Sequence, residues 1–341
     1  MKSWVKVAVI VPIVVTVLGA VGAVKIYGQS AVLSPQARAL TSRTFERTPA
    51  RLERGKYLVE AVLTCNHCHS PNDWTKHDAP IPPGMELAGQ DMGSDPAIGH
   101  VIAPNLTPDP ETGAGKWTDD MLARSIREGI GHDGRALFSL MPYRVYRHLP
   151  DEDLASIVVY LRSLPPAKNP LPKTQLIAPV YAAIQNDPHP VTEPVPAPDL
   201  STPLKRGTYL VSVIGCVECH TPIDDHANLI HGMEFGGGQV FEGPWGRVAS
   251  ANLTPDASGI PYYDQAFFIK TLRTGYAGAR QINQFMPWWT FRNMKDEDLA
   301  AIFTYLRALK PVTHLVDNSI SATKCPLDGA MHGGGDKNLK Q

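Results

Sequence analysis

Two five-residue stretches of this chain bring cysteine and histidine side chains together at the same spacing. The first reads CNHCH over residues 65–69, and the second reads CVECH over residues 216–220. Two thiols at this spacing can form thioether bonds to one haem while the histidine that follows binds its iron, which is the attachment chemistry of c-type haem. The pattern therefore predicts two covalently bound haem c groups. Their predicted attachment and proximal ligand residues are Cys65, Cys68, His69, Cys216, Cys219 and His220.

A pair of cysteines alone would also fit half of a zinc site or a thiol–disulfide redox pair. A zinc site needs a second pair of cysteine or histidine ligands close by, and a redox pair does not require a histidine after the second cysteine. The full pattern occurs twice, which chance explains poorly. We therefore expect haem attachment at both copies.

The two motifs lie inside a longer internal repeat. The separation of equivalent residues falls only from 152 at Arg54 and Arg206 to 145 at Asp151 and Asp296. A period this long, present in two copies, indicates tandem homologous domains and not a solenoid. The matched segments are RGKYL (54–58) and RGTYL (206–210), GME (84–86 and 232–234), NLTPD (105–109 and 252–256), MP (141–142 and 286–287) and DEDLA (151–155 and 296–300).

Each haem iron needs a sixth ligand, and two pairs of methionines are repeated between the copies. Met141 and Met286 each precede a proline just before the last helix of their copy, so the thioether lies on a restricted loop. Met85 and Met233 are also repeated, and we expect them to pack against the haem edge. We therefore predict Met141 and Met286 as the distal iron ligands. With histidine and methionine as axial ligands, neither iron has an open coordination position. This indicates one-electron transfer.

The amino-terminal segment predicts export. Residues 7–24 are apolar apart from Thr16, and as a helix they would span about 27 Å, close to the hydrocarbon thickness of a bilayer. Lys2 and Lys6 precede this run, which favours an inside amino terminus and an outside body. A cleaved signal peptide is the alternative, but the run is longer than usual for one. We expect a single-pass protein of the bacterial cytoplasmic membrane, with its haem domains on the periplasmic side.

The composition is that of a globular protein, with 43% hydrophobic and 19% charged residues. The formal net charge of -1 gives no indication of a nucleic-acid partner. Apolar residues recur at helical spacing, the intervening segments are rich in glycine, proline and aspartate, and no confident strand is visible. These patterns predict an all-α, loop-rich fold.

Proline and cysteine placement divides the rest of the chain. Eleven prolines between residues 165 and 203 predict an extended, semi-rigid linker. Cys325 is the only cysteine outside the motifs and lies in a glycine-rich tail, where we expect a free thiol, with pairing to another subunit as the alternative. The predicted divisions are a transmembrane anchor (1–27), a tether (28–47), domain 1 (48–164), the linker (165–203), domain 2 (204–312) and a flexible tail (313–341).

These residues resemble the class I cytochromes c in a tandem dihaem form. The resemblance covers residues 48–311 and rests on both C-x-x-C-H motifs, both Met-Pro loops and the terminal helices. The segment NLTPDPETGAGKWT (105–118) is similar to cytochrome c subunits of membrane-bound alcohol, gluconate and aldehyde dehydrogenases. The resemblance implies two all-α cytochrome c-like domains, and a subunit that passes electrons from a catalytic partner toward a quinone or a terminal oxidase.

The sequence thus predicts a membrane-anchored dihaem cytochrome that relays single electrons as a subunit of a respiratory or dehydrogenase complex, without catalytic activity of its own. Two alternatives involve different chemistry. A dihaem peroxidase would need one iron with an open or displaceable ligand, which two equivalent methionines disfavour. A thiosulfate-oxidising dihaem dehydrogenase would need a cysteine as an iron ligand, and Cys325 is the only spare thiol.

Overall fold

The computed structural model describes residues 35–339. The predicted anchor (1–27) and the first part of the predicted tether lie outside these residues. Within 35–339, no helix has both the length and the apolar character needed to cross a bilayer.

Helices form most of the regular structure of the described chain. In chain order they are α1 (Pro49–Tyr57), α2 (Cys65–His69), α3 (Asp119–Glu128), α4 (Tyr143–Tyr146), α5 (Asp151–Ser163), α6 (Ala178–Ile184), α7 (Pro203–Ile214), α8 (Cys216–His220), α9 (Gln265–Thr274), α10 (Trp288–Phe291) and α11 (Asp296–Arg307). A π-helical turn, Leu58–Val62, continues α1. The elements repeat in order: α1 to α5 form unit 1, and α7 to α11 form unit 2.

In each unit the first and last helices cross at a glycine. A Cβ atom on Gly55 of α1 would lie 1.9 Å from the carbonyl oxygen of Ser156 in α5, and one on Gly207 of α7 would lie 2.1 Å from that of Ala301 in α11. No larger residue fits without moving a backbone, so the glycine of the repeated RG-x-YL segment is required by close packing. The crossing lets each first helix run beside the last helix and then continue toward the haem motif.

Partly buried ion pairs hold the same crossings. Arg54 Nε lies 2.8 Å from a carboxylate oxygen of Asp153 in unit 1, and Arg206 Nη1 lies 2.7 Å from Asp298 in unit 2. Both aspartates are nearly buried and lie in the first turn of the last helix, where a negative charge also interacts favourably with the helix dipole. The repeated arginine and DED segment therefore act as one structural pair within each unit.

The two units contact each other through reciprocal hydrogen bonds. The hydroxyl of Tyr57 in unit 1 donates to Asp298 in unit 2, and the hydroxyl of Tyr209 in unit 2 donates to Asp153 in unit 1. Each aspartate thus binds an arginine of its own unit and a tyrosine of the other. The first helix of each unit also packs near the short helix that follows the other unit's Met-Pro segment: α4 contacts α7, and α10 contacts the π-helical turn after α1.

The prediction of a fold without strands was wrong in detail, because nine short strands form four small sheets in the described chain. Three of the sheets are two-stranded hairpins within loops, the fourth has three strands, and no extended sheet builds the core. The strands are β1 (Gln90–Asp95), β2 (Gly99–Ala103), β3 (Gln175–Leu176), β4 (Val240–Gly243), β5 (Gly246–Ala249), β6 (Tyr276–Ala277), β7 (Arg280–Gln281), β8 (Ala322–Lys324) and β9 (Met331–Gly333). Each is two to six residues long, too short for a visible alternating pattern.

The segment between the units is only partly extended. It contains the helix α6 and the strand β3, which pairs antiparallel with β2 of unit 1. Asn169 of this segment donates its side-chain amide to the carbonyl of Ala88 at 2.9 Å. The segment therefore lies against unit 1 as part of its packing, and its boundaries with the two units stay a prediction.

The prediction of a flexible carboxyl-terminal tail was wrong for residues 313–339. Strands β8 and β9 pair as a hairpin, and the side chain of Asn318 binds both the amide and the carbonyl of Ala249 in β5 at 2.8 Å. Cys325 forms no disulfide within the described residues, and both it and His332 are 0% exposed. Glycine content suggested flexibility, whereas Gly333 is required by a close approach to the carbonyl of Asp317.

Replacing Gly55 by alanine tests the helix crossing. We expect Gly55→Ala to lower the free energy of unfolding by about 1–3 kcal/mol or more, because the new methyl group must displace the backbone of α5. Lys56→Ala, at the exposed next position, should change it by less than about 0.5 kcal/mol. Denaturant unfolding of the haem-loaded protein measures both, and equal midpoints for the two variants would contradict the close crossing.

Candidate haem sites

Both C-x-x-C-H motifs form one short helix that starts directly after a left-handed residue. Thr64 has φ = +53° before Cys65, and Gly215 has φ = +76° before Cys216. A left-handed residue ends the preceding helix and redirects the chain. Glycine adopts this conformation without strain, whereas threonine is unusual there. The two copies therefore present their motifs after equivalent turns, although only the second uses glycine.

The proximal histidines share one orienting hydrogen bond. Nδ1 of His69 lies 2.8 Å from the carbonyl oxygen of Pro104, and Nδ1 of His220 lies 2.8 Å from that of Ala251. A carbonyl can only accept, so each Nδ1 carries the proton and Nε2 keeps its lone pair. Burial lowers the pKa of both imidazoles, with the carbonyl contact acting in the opposite direction. A neutral, oriented Nε2 is the form that binds a metal.

Two asparagines position these carbonyl acceptors. Asn105 follows Pro104, and its buried side chain accepts from the amide of Thr107 at 2.9 Å while donating to the carbonyl of Ala167 at 2.7 Å. In unit 2, Asn252 makes the equivalent bonds, to the amide of Thr254 at 2.9 Å and the carbonyl of Val312 at 2.8 Å. The repeated NLTPD segment thus fixes the loop that orients the histidine.

The four motif cysteines fit covalent attachment better than zinc binding. Cys65, Cys68, Cys216 and Cys219 are all free of disulfides. Burial raises the pKa of both Cys65 and Cys216 to about 12. Among residues 35–339, neither motif belongs to a cluster of three or more potential ligand atoms. The zinc alternative therefore finds no support in the geometry.

The Met-Pro segments have the same conformation in both units. Pro142 has φ = −80° and ψ = +46°, and Pro287 has φ = −77° and ψ = +46°. The amide two residues after each methionine donates to the carbonyl of Met141 at 2.8 Å or of Met286 at 2.7 Å. This is an inverse γ-turn, in which proline supplies the required φ.

A glycine-to-aromatic contact supports each of these turns. Gly129, with φ = +70°, ends α3, and a Cβ atom there would lie 2.7 Å from the ring of Tyr143. Gly275, with φ = +73°, ends α9, and a Cβ atom there would lie 2.5 Å from the ring of Trp288. The aromatic residue just after each Met-Pro pair therefore packs directly on the end of the preceding helix. Met141 and Met286 are both half-buried and pack against the hydrophobic core that Cys65 and Cys216 also contact.

The residues present thus fit a covalently attached haem in each unit: two free thiols, a neutral histidine with an oriented Nε2, and a methionine on a restrained turn. The two sites are built by matching contacts. Ligation of iron by His69, Met141, His220 and Met286 stays a prediction.

An aromatic cluster lies between the two units. The ring of His67, inside the first motif, is 4.8 Å from that of Trp74 and stacks at 6.0 Å on that of Trp289 of unit 2. Trp74 in turn lies 5.2 Å from Trp245, whose ring stacks at 4.4 Å on that of Phe285, the residue before Met286. The cluster joins the first motif to the second Met-Pro loop. Sequence reasoning missed Trp74 and His67 because neither is repeated.

Comparison with known proteins agrees with this geometry. A family model described as "Cytochrome C oxidase, cbb3-type, subunit III" matches residues 50–161. A nicotinate dehydrogenase subunit of Pseudomonas putida is 33% identical over 236 residues, which are 67% of this chain and 18% of that protein. The fructose dehydrogenase cytochrome subunit of Gluconobacter japonicus is 30% identical over 284 residues, 77% of this chain and 54% of that protein. The chain thus spans less than two thirds of both these relatives.

A shorter relative is matched over most of its length. A protein named "Diheme cytochrome c-type" from Cereibacter sphaeroides is 27% identical over 265 residues, 73% of this chain and 82% of that protein.

Replacing Asn105 or Asn252 by alanine tests the positioning role. Each substitution leaves a buried carbonyl and a buried amide without their partner, and should lower the free energy of unfolding by about 1–3 kcal/mol. Asn228→Ala, at an exposed turn, is the control and should cost less. The measurement is denaturant unfolding of the haem-loaded protein. Asn105→Ala and Asn228→Ala proteins of equal stability would show that the Asn105 contacts are dispensable.

Taken together, residues 50–161 match a cytochrome family model, and the chain is similar to a dihaem cytochrome c and to the cytochrome c subunits of dehydrogenases.

Proposed function

We propose that this protein is a membrane-anchored dihaem cytochrome that passes single electrons as a subunit of a dehydrogenase complex. The observation that carries this proposal is the matching pair of proximal sites, each with a C-x-x-C-H helix and a histidine whose Nδ1 donates to a backbone carbonyl at 2.8 Å. When bound, haem supplies an iron centre that gains and loses one electron.

The chain's own residues would hold and orient the two groups. Cys65 and Cys68, or Cys216 and Cys219, attach the haem edge. The carbonyl contact directs Nε2 of each histidine toward the iron position. Met141 and Met286, which lie on restrained turns, would supply a further ligand in each unit, and this would leave neither iron open to a small substrate.

Contact between the units supports a relay within one molecule. The reciprocal tyrosine–aspartate bonds and the aromatic cluster between His67 and Phe285 hold the first motif near the second unit. The rate of electron transfer between two centres depends on their separation, and this interface would keep that separation constant. We propose that electrons pass between the units through this packed contact.

The names of the relatives indicate the kind of partner. Several are cytochrome c subunits of quinone-dependent alcohol dehydrogenase, gluconate 2-dehydrogenase or fructose dehydrogenase. We propose a similar place for this chain, beside a catalytic subunit of a dehydrogenase. Residues 1–27 would retain it at the bacterial cytoplasmic membrane, with both units on the periplasmic side.

Substituting the methionines tests the proposed ligands. Met141→Leu and Met286→Leu should each remove about half of the far-red absorption band that a thioether gives to ferric haem, because each removes one of two distal ligands. Met85→Leu and Met233→Leu are matched controls, since they are also repeated but are expected only to pack. The measurement is the oxidised spectrum of each protein at equal haem content.

Two other results would contradict the proposal. A pyridine haemochrome assay that finds one haem per chain would remove the second site. A wild-type protein with one high-spin haem would instead support a peroxidase-type enzyme with an open iron. Purification from the native membrane tests the partner: a chain that elutes alone would exclude a stable complex.

A further inference from the structure

Four side chains outside the haem sites converge in the carboxyl-terminal segment. His314, Cys325, Asp328 and His332 each direct one nitrogen, sulfur or oxygen atom to the same point, and these four atoms lie within 4.8 Å of one another. All four side chains are 0% exposed. We propose that they form a structural zinc site that fastens residues 313–339 to unit 2.

Four of the six separations between the donor atoms are close to the edges of a tetrahedron around zinc. His314 Nε2 lies 3.2 Å from His332 Nε2, 3.5 Å from Cys325 Sγ and 3.4 Å from Asp328 Oδ2. His332 Nε2 lies 3.5 Å from the same oxygen. Tetrahedral zinc with usual bond lengths has nitrogen–nitrogen or nitrogen–oxygen edges of about 3.4 Å and nitrogen–sulfur edges of about 3.6 Å. These four edges therefore already have nearly the lengths that a zinc ion requires, and all four donor atoms lie within 4.8 Å of one another.

Hydrogen bonds alone account for the cluster poorly. Nδ1 of His314 donates to the carbonyl of Gly236 at 3.0 Å, so Nε2 of the neutral ring has one lone pair and no proton. Both His332 and Cys325 would need to donate to that one lone pair. An imidazole–carboxylate hydrogen bond is about 2.7–2.9 Å long, shorter than both distances to Asp328. A cation at the centre satisfies all four atoms at once.

One carboxylate oxygen of Asp328 is available to bind a metal. Its Oδ1 accepts from the amide of Ala330 at 2.9 Å. Its Oδ2, which faces the two histidines, is buried and has no hydrogen-bond partner among the described residues. A buried, unpaired carboxylate oxygen is costly unless a cation neutralises it. This oxygen is the second observation, beside the geometry, that indicates a bound cation.

The chemistry of the four ligands favours zinc. Two imidazoles, one thiolate and one carboxylate form a mixed nitrogen, sulfur and oxygen set that suits a borderline-soft ion. The site has four protein ligands and no exposure to solvent, so no position remains for a substrate. Closed four-ligand sites are structural.

Comparison of the two units shows which residue difference creates the site. In unit 1, Asn169 binds the carbonyl of Ala88, and the next amide, of Gly89, donates to the carbonyl of the proximal His69 at 2.7 Å. In unit 2, His314 takes the place of Asn169: it binds the carbonyl of Gly236, and the next amide donates to the carbonyl of His220 at 2.7 Å.

The histidine therefore keeps the structural bond of the asparagine through Nδ1 and directs Nε2 to the cluster. A Cβ atom on Gly238 would lie 2.6 Å from the His314 ring and 2.7 Å from Asp328, so only glycine leaves room for both ligands. The proposed ion lies two hydrogen bonds from the proximal histidine of unit 2, with no counterpart in unit 1.

Metal analysis of the full-length, haem-loaded protein tests the site. We expect about one zinc per chain beside the haem iron, and X-ray absorption at the zinc edge should show one sulfur at about 2.3 Å and three nitrogen or oxygen ligands at about 2.0 Å. Haem loading matters because it blocks the four motif thiols. Wild-type protein that carries full haem but no zinc after growth with added zinc would overturn the proposal, as would stoichiometric copper in its place.

Variants link the metal to these residues. Cys325→Ala and His332→Ala should each lose the zinc, whereas His231→Ala, a fully exposed histidine of the same unit, should keep it. Retention of zinc by the first two variants would overturn the assignment. If the variants fold poorly, the wild type still decides: a chelator should lower its unfolding temperature, added zinc should restore it, and no effect of the chelator on the zinc-loaded protein would contradict the role.

Discussion

The close crossing of the first and last helices is the constraint on which both units depend. Gly55 and Gly207 allow the two backbones to approach within a distance that excludes any Cβ atom. The crossing brings the arginine of one helix to the aspartate of the other, and it sets the direction in which the first helix reaches the C-x-x-C-H motif. The last helix, held by the same contact, follows the Met-Pro turn in the chain. Both ends of each haem site are therefore positioned by one contact.

The orientation of the proximal histidine is a second, separate constraint. It depends on a loop about thirty-five residues further along the chain, in which Asn105 or Asn252 holds the carbonyl that receives Nδ1. An asparagine side chain can accept and donate hydrogen bonds at the same time. Here these bonds hold the loop in place, as backbone hydrogen bonds hold a helix or a sheet. This explains why the sites can lie among loops and still have a defined geometry.

The parts of the structure that could be predicted from the sequence are those whose residues occur in both copies of the internal repeat. The motif histidines and the Met-Pro turns were recognisable because a repeated residue in an equivalent place narrows the possible roles. The reason for the repeated Gly55 was not recognisable, because it depends on the distance between helices far apart in sequence. The same holds for the aromatic cluster around His67 and Trp74, which exists only where two unlike surfaces meet.

The prediction for the carboxyl-terminal segment was wrong for a different reason. Glycine-rich composition after the last helix suggested a flexible tail, and single cysteine and histidine residues there had no repeated partner. The four donor atoms come from His314 at the start of the segment and from Cys325, Asp328 and His332 around a hairpin, so their convergence depends on the strand pairing. Short strands of three residues leave no periodic signal, and composition alone cannot separate a packed glycine from a mobile one.

The reciprocal bonds of Tyr57 with Asp298 and of Tyr209 with Asp153 have the form of an interface between two identical subunits. In a dimer of separate single-haem proteins, each half would lose its partner on dilution. Here the segment 165–203 joins the halves, so their association is intramolecular and independent of protein concentration. The two linked halves also need not have identical residues. Only unit 2 is followed by a histidine at the position of His314, and only unit 1 contributes His67 to the shared aromatic cluster, so the two halves of the molecule are distinguishable.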